Sequence, residues 1–338
     1  GKQQYKKRKA QAKDPFKMKR SIDQQNGASK TPRQESSMEV EPPARPVSPI
    51  PLRQSMAEVG ELDLNEVVEA GQLELTDGTI TKGFSFGATT SMSGEVVFNT
   101  GMVGYPESLT DPSYRGQILV LTYPLIGNYG VPSPDDKDEH GLPKFMESAR
   151  IQIAGLIVAN YSQEHSHWNS ALSLGDWLKG QNIPALYGID TRALTKNLRE
   201  HGTIVGKIEF PGQPVAFEDP NTRNLVAEVS TKTLMRFPRA GAPKIVAYDC
   251  GIKYNIIRYL ITDQKVDLTV VPFDYDLEAN PEGLEYDGLF ISNGPGNPEM
   301  CQETIKALRW AIARPNPKPI FGICLGNQLL ALAAGAST

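Results

Sequence analysis

Apolar and polar residues alternate along the first patterned stretch of the chain, which begins near Gly71 and reads QLELTDGTITKGFSFG. Alternation with a period of two is typical of half-buried β-strands, and the Asp77-Gly78 pair in its middle is a preferred hairpin turn. Three further runs rich in β-branched residues follow: GEVVFNTG, QILVLTYPLIG and RIQIAGLIVANY. The pattern therefore predicts a β-hairpin and three more strands.

Two stretches with helical spacing follow these strands, SALSLGDWLKGQ and DTRALTKNLREHG. In the second stretch, Asp190 or Thr191 can cap the first turn and Gly202 can end the helix. We predict one mixed α+β domain over residues 71–210. The next stretch, residues 211–243, has several prolines and little periodicity, and it is predicted to be a linker.

Strand-like and helix-like stretches alternate from residue 244 to the end of the chain. The strand-like ones are KIVAYDCG, VDLTVVPFD, YDGLFISNG and PKPIFGIC, and the helix-like ones are YNIIRYLITDQ, QETIKALRWAIAR and LGNQLLALAAG. Such alternation with short connections predicts an α/β domain with a doubly wound parallel sheet. Residues 244–338 supply the first half of such a domain. We expect both ends of the chain to be cut, since it begins with Gly1 and no stop signal follows its last helix.

Residues 1–58 differ in composition from the rest of the chain. A block of Lys and Arg is followed by a Gln-, Ser- and Pro-rich stretch that ends in EPPARPVSPIPLRQ. With few apolar residues, this tail cannot offset its ordering entropy, so it is predicted to be disordered. Three interpretations stay open: a solvated tail, a nuclear or acidic-partner signal in KKRK, and a mitochondrial presequence.

Composition and charge narrow the classes of function. Hydrophobic residues make up 39% and charged residues 22%, and no uninterrupted apolar run reaches the length of a membrane-spanning helix. The net charge of −4 gives no reason to expect nucleic acid as a partner. Cys250, Cys301 and Cys324 are too few and too scattered for a disulfide framework or a zinc site. We therefore predict a reducing compartment and no metal centre.

The candidate chemistry lies in the segment GICLG, which ends one predicted strand and begins one predicted helix. A glycine-x-nucleophile-x-glycine sequence in this context is typical of a nucleophile elbow, whose tight turn lifts the central side chain above the sheet edge. The helix N-terminus favours a thiolate there. We predict Cys324 as the nucleophile and the N–H of Leu325 as a donor to an oxyanion. The alternative is an ordinary strand–helix junction with a buried cysteine.

A glycine loop, SNGPGNP, follows an earlier strand of the same predicted sheet. Parallel strands end at one edge of a doubly wound sheet, so the loop is expected beside the elbow. Gly294 and Gly296 would let backbone N–H groups approach a substrate closely. Without the elbow, the loop would be interpreted as a tight turn. A phosphate loop is disfavoured, because no Gly-Lys-Ser or Gly-Lys-Thr ending follows.

A nucleophilic cysteine of this kind needs a basic partner, and no histidine follows Cys324 in the sequence. His140, His165, His167 and His201 all precede the predicted sheet. The HSH segment lacks further ligands at the spacing of a metal site, which favours a surface loop. The base is therefore expected in the half of the sheet that follows Thr338.

These motifs resemble a known family. GICLGNQLLALAAGA, with SNGPGNP upstream, resembles a class I (triad) glutamine amidotransferase. The stretches GEVVFNTGMVGYPESLTDPSYRGQILVLTYPLIGNYGVP, GIDTRALTKNLREHG and AYDCGIKYNIIR resemble the small subunit, or glutaminase region, of carbamoyl-phosphate synthetase. Among these stretches, the segment YPLIGNYGVP is most similar in sequence to eukaryotic forms fused into a multifunctional pyrimidine-pathway protein. The likeness runs from about Gly71 to the end of the chain. A GMP or anthranilate synthase component is a weaker alternative, because those amidotransferases share the elbow but not the first domain.

The resemblance implies that Cys324 attacks the carboxamide of L-glutamine, forms a thioester and releases ammonia. It implies contacts with glutamine from Ser113, Gly294, Gly296, Leu325 and Gln328. It also implies a partner with an ATP-grasp fold, either a carbamoyl-phosphate synthetase subunit or a fused downstream domain. That partner would use ATP, Mg and bicarbonate, whereas this portion would need no cofactor.

In the family, a His and a Glu complete the triad after the nucleophile, and both would lie beyond Thr338. Residues 1–338 alone are therefore expected to give no useful glutaminase turnover. The alternative function is a non-catalytic docking or regulatory module that binds a synthetase partner. The resemblance favours pyrimidine over arginine synthesis and a cytoplasmic location, with mitochondria expected for an arginine- or urea-specific form.

Overall fold

The structure, a computed structural model, describes residues 69–338. The predictions for residues 1–58 lie outside the described residues. A closed β-barrel and a five-stranded sheet organise the described part of the chain.

The barrel comes first along the chain. Its strands are β1 (Ala70–Leu75), β2 (Ile80–Ser85), β3 (Met92–Asn99), β4 (Gln117–Leu121), β5 (Gly155–Val158), β6 (Ala185–Tyr187) and β7 (Ile204–Glu209). Its helices are α1 (Tyr105–Thr110), α2 (Leu174–Gly180) and α3 (Thr191–His201). The strand order is β1-β2-β6-β5-β4-β3-β7, and the pairings β3–β4, β4–β5 and β5–β6 are parallel.

The hairpin predicted at the start of this region is confirmed. Strand β1 pairs antiparallel with β2, with Leu73 opposite Thr81, and Gly78 in the turn has a φ of 86°. Strand β1 also pairs with β7, with Leu73 opposite Ile208, and this pairing closes the sheet. The sequence predicted mixed α+β content but not the closure, because a pairing between strands so far apart in the chain leaves no local pattern.

Helix α3 packs against β3 and β4. Its N-cap is Asp190, whose side chain accepts a hydrogen bond from the N–H of Ala193 at 2.9 Å, and Gly202 ends the helix with a φ of 77°. Leu194 and Leu198 are buried in one cluster with residues of the barrel strands. The inner face of α3 thereby completes this core, while its outer face is exposed.

The second sheet has the order β12-β11-β9-β10-β8. Its strands are β8 (Met235–Phe237), β9 (Lys244–Asp249), β10 (Asp267–Pro272), β11 (Gly288–Ile291) and β12 (Ile320–Gly322). The helices of this part are α4 (Leu225–Val229), α5 (Tyr254–Arg258), which widens into a π-turn over Tyr259–Asp263, α6 (Gln302–Ile312) and α7 (Leu325–Ala333). Strands β9 to β12 are parallel, as the alternating pattern predicted, and β8 is an antiparallel edge strand.

The stretch predicted to be a linker contains two of these elements. Helix α4 and strand β8 both lie within residues 211–243, and Arg236 of β8 pairs with Thr269 of β10. Leu225 and Val226 of α4 are buried. Both elements were missed because they are only five and three residues long, too short for a period to be seen.

Candidate active site

Cys324 stands at a sharp turn between β12 and α7. Its backbone φ is 51° and ψ is −113°, although it is not a glycine, and its side chain is exposed. A non-glycine residue in this region of backbone space is strained, and such strain is concentrated at functional sites. The conformation is that of a nucleophile elbow, which projects the thiol from the edge of the sheet.

The glycines on either side make this turn sterically feasible. A Cβ on Gly322 would lie 2.5 Å from the carbonyl oxygen of Gly326. A Cβ on Gly326 would collide with the carbonyl oxygen of Ile291 and lie 2.8 Å from that of Ser292. Helix α7 therefore starts in direct contact with the end of β11, which only a residue without a side chain allows.

The first turn of α7 presents polar groups next to the thiol. Leu325 is the first residue of the helix, so its N–H has no acceptor within the helix. Its side chain is buried, whereas the side chains of Asn327 and Gln328 are exposed. The N–H of Gln328 donates to the carbonyl oxygen of Cys324 at 3.2 Å. The free N–H of Leu325 and the exposed carboxamide of Gln328 thus lie within four residues of Cys324.

The glycine loop after β11 lies against the elbow. A Cβ on Gly294 would collide with the carbonyl oxygen of Cys250 and lie 2.8 Å from a side-chain carbon of Leu325. Ser292 holds the loop to the end of β9, since its Oγ accepts a hydrogen bond from the N–H of Cys250 at 2.9 Å. Gly296 follows with a φ of 78°. The structure therefore brings the loop and the elbow together at the carboxyl edge of the sheet.

Ser113 reaches this edge from the barrel part of the chain. The side-chain Nδ2 of Asn293 donates to Ser113 Oγ at 3.0 Å and to the carbonyl oxygen of Gly251 at 2.9 Å. The Asn293 side-chain oxygen is buried and has no hydrogen-bond partner among residues 69–338. One amide thus joins three segments: the turn after α1, the end of β9 and the glycine loop.

A charged pair fixes the turn that carries Ser113. Asp111 accepts a hydrogen bond from the N–H of Ser113 at 2.9 Å through one oxygen, and its other oxygen lies 2.6 Å from Lys253 Nζ. Burial alone would lower the pKa of Lys253, but the neighbouring Asp111 carboxylate raises that pKa above its usual value. The lysine therefore stays charged and holds the turn against the β9–α5 connection.

Sequence reasoning did not single out three of these residues. Asn293 lies inside the glycine loop that was recognised, and Asp111 precedes Ser113 in an Asp-Pro-Ser turn, so both had a local signal. Lys253 had no local signal, because its role depends on a contact with a distant part of the chain.

The other two thiols lie in different surroundings. Cys250 and Cys301 are both fully buried. Burial raises the pKa of Cys250 well above its usual value and that of Cys301 to about 12. Because the thiolate is the reactive form, neither is suited to nucleophilic chemistry.

Three of the four histidines in the sequence, His140, His167 and His201, have neighbours away from the elbow. The ring of His140 lies against Phe237 at 6.3 Å, and that of His167 lies beside Tyr129 at 6.2 Å. The Nδ1 atom of His201, the last residue of α3, lies 3.0 Å from the carbonyl oxygen of Asn197. None of these neighbours belongs to the elbow or the glycine loop. Among residues 69–338 there is also no group of three or more His, Cys, Asp or Glu side chains that could hold a metal ion.

Within the same part of the chain, no helix combines the length and the apolar character needed to cross a membrane.

Comparisons with known proteins divide the chain in the same way as its two sheets. Residues 73–208 match the carbamoyl-phosphate synthase small chain, CPSase domain, and residues 246–338 match the class-I glutamine amidotransferases. The first match runs from β1 to β7, and the second from β9 to α7.

Individual relatives agree with these matches. Over 79% of its own length, the chain is 56% identical to the multifunctional protein CAD of Squalus acanthias. Over 80% of its own length, it is 51% identical to the mitochondrial carbamoyl-phosphate synthase [ammonia] of Aquarana catesbeiana. It is 48% identical to the carbamoyl phosphate synthase arginine-specific small chain of Saccharomyces cerevisiae over 78%. The aligned part spans 12%, 18% and 65% of these relatives, respectively.

The resemblance inferred from the sequence is thereby confirmed. The chain carries a carbamoyl-phosphate synthase small-chain domain ahead of a class I glutamine amidotransferase domain, and its relatives include carbamoyl-phosphate synthases.

Proposed function

We propose that this chain is the glutamine-hydrolysing portion of a carbamoyl-phosphate synthase. The observation that carries the proposal is the conformation of Cys324. Its backbone φ is positive and its thiol is exposed, and the tight turn around it is possible because residues 322 and 326 are both glycines, Gly322 and Gly326. In an ordinary strand–helix junction, a glycine at this position would adopt the same backbone conformation without strain. A strained cysteine there therefore indicates a chemical role for its thiol.

The reaction proceeds in two steps. The Cys324 sulfur attacks the carboxamide carbon of L-glutamine, the C–N bond breaks, and the nitrogen takes up a proton and leaves as ammonia. Water then attacks the thioester carbon and the C–S bond breaks. Glutamate is released, and the free thiol is restored. The N–H of Leu325 and the glycine loop donate to the oxyanion in both steps, next to the positive end of α7. A basic side chain, which the family resemblance implies to be a histidine, would carry the proton from the thiol to the leaving nitrogen.

The remaining site residues hold the substrate in this proposal. Ser113 and Gln328 supply side-chain hydrogen bonds to glutamine, and Gly294 and Gly296 supply backbone contacts. The contact between Asn293 and Ser113 supports this assignment, because it keeps a barrel residue at the edge where the thiol emerges. Substrate would then be bound between the two matched domains.

Ammonia released here would be consumed by a synthetase partner, which makes carbamoyl phosphate from bicarbonate and ATP with Mg. We assign the product to pyrimidine synthesis in the cytoplasm, supported by the higher identity to the multifunctional protein CAD than to the arginine-specific small chain. An arginine-specific or mitochondrial form is the alternative that other relatives support. This portion itself would use no cofactor.

Ser113→Ala is expected to raise the KM for glutamine of the complete protein by about three- to tenfold, with a smaller fall in kcat. The reason is the loss of one hydrogen bond to the substrate, which contributes about 0.5–1.5 kcal/mol. The measurement is ammonia release as a function of glutamine concentration. Ser108→Ala on the preceding helix, where the hydroxyl accepts only a 3.4 Å hydrogen bond from Asn99, is the matched control.

An unchanged KM in Ser113→Ala would remove Ser113 from the substrate site but leave the function intact. If the complete protein released no ammonia from glutamine, the proposed function itself would be wrong.

Residues 1–338 alone are expected to show no useful turnover. The thiol would have to react without a base, and loss of a triad partner typically costs several orders of magnitude in rate. The measurement is ammonia release together with acylation by labelled glutamine, followed by mass spectrometry. A clear burst of thioester on Cys324 would contradict this expectation.

A further inference from the structure

A cleft lies at the carboxyl ends of β3 and β4, outside the site described above. Its volume is about 670 Å3, within the range of small-molecule binding sites. One wall is formed by Thr100 and Thr122, the first residues after β3 and β4. The rest of the lining comes from helix α3 and its N-cap residue. None of the candidate active-site residues lines this cleft.

The α3 wall is strongly cationic. Arg192, Lys196 and Arg199 all line the cleft, and their spacing puts them on one face of the helix. The only carboxylate in the lining is that of Asp190, and one of its oxygens already accepts the capping hydrogen bond from Ala193. Three cations thus face one carboxylate in a chain whose net charge is −4.

These cations are weakly neutralised by the protein. Neither Arg192 nor Arg199 forms a salt bridge within residues 69–338, and Lys196 reaches only Glu200, at 4.0 Å on the exposed surface. Such an exposed pair contributes little. The guanidinium of Arg199 lies over the ring of Phe98 at 5.2 Å, which restricts its motion without neutralising its charge. Like charges on one helix face repel each other, and a bound anion would relieve this repulsion.

We propose that this cleft binds a phosphate-bearing small molecule. Two guanidinium groups present paired N–H donors that match phosphate oxygens, and Lys196 adds a point charge. Thr100 and Thr122 line the same cleft, and their side-chain hydroxyl groups are further potential donors to a phosphate oxygen.

The test measures binding of inorganic phosphate, pyrophosphate and ATP to the chain by isothermal titration calorimetry in low salt, with adenosine as the uncharged probe. At least one phosphate probe is expected to bind saturably, and adenosine is not. The double variant Arg192→Gln/Lys196→Gln is expected to weaken that binding by tenfold or more, since each charge-assisted hydrogen bond is worth about a factor of ten. Arg199 is left unchanged, because its side chain also packs on Phe98.

The matched control is Arg314→Gln, which removes a charge from an arginine that lies over the Trp310 ring at 4.6 Å, on a different surface. This variant is expected to bind as the unaltered chain does. The proposal is wrong if no phosphate probe binds, if adenosine binds as well as ATP, or if both variants lose affinity equally. Because the readout is binding, failure here leaves the proposed glutamine hydrolysis untouched.

Discussion

Gly326→Ala is expected to reduce glutamine hydrolysis by the complete protein at least about 100-fold, although the substitution adds a single methyl group. The new Cβ would collide with the carbonyl oxygen of Ile291 and lie 2.6 Å from its carbonyl carbon. These atoms end a strand that is paired on both sides, so they cannot move away as a flexible side chain could. The methyl group must instead displace the start of α7.

That displacement would act directly on the nucleophile. The N–H of Ile323 donates to the same Ile291 oxygen at 3.0 Å, and this hydrogen bond fixes the residue before Cys324. A shift of about 1 Å in a reacting group can cost a factor of about 100 in rate. Overpacking of this kind also costs about 1–3 kcal/mol of folding free energy, so the melting temperature should fall by several degrees.

The measurements are the rate of ammonia release from glutamine and the thermal unfolding midpoint. Gly180→Ala is the matched control, because a Cβ on this last residue of α2 would have no atom within 4 Å. The control is expected to keep its activity and its melting temperature. If Gly326→Ala behaved like Gly180→Ala, the close approach of α7 to β11 would not be what positions Cys324.

The elbow could be predicted from the sequence because all of its determinants are local. Gly322, Cys324 and Gly326 lie within five residues, and the apolar run before them and the helical run after them fix the kind of turn. The parallel sheet was predictable for a similar reason, since each strand and helix from residue 244 onward carries its own period. In each of these correct predictions, the residues that determine the structure lie close together in the sequence.

The features that were missed depend on contacts between distant segments. Closure of the barrel requires β1 to pair with β7, and the hydrogen bond from Asn293 to Ser113 joins the glycine loop after β11 to the barrel part of the chain. The salt bridge between Asp111 and Lys253 is of the same kind. A single sequence has no signal for such pairs, because each partner also looks like an ordinary turn or loop residue by itself.

Cys324→Ser is expected to lower glutamine-dependent ammonia release by the complete protein by a factor of at least about 1,000. A serine hydroxyl is far less ionised than a thiol at neutral pH, so the attacking group loses most of its reactivity in the same geometry. Synthesis of carbamoyl phosphate from added ammonia should be retained, since it does not use this thiol. The two activities would therefore separate, which general unfolding could not produce.

The matched control is Cys301→Ser, in which the same exchange is made at a buried residue, the one that immediately precedes α6. Cys301 is a poor nucleophile because burial raises its pKa to about 12, so its loss should change stability more than glutamine hydrolysis. A thiol-alkylating glutamine analogue should label Cys324 in the unaltered protein and in Cys301→Ser, but nothing in Cys324→Ser. If Cys324→Ser kept a tenth or more of its glutamine-dependent rate, the elbow would be a structural turn and the nucleophile would have to be sought elsewhere.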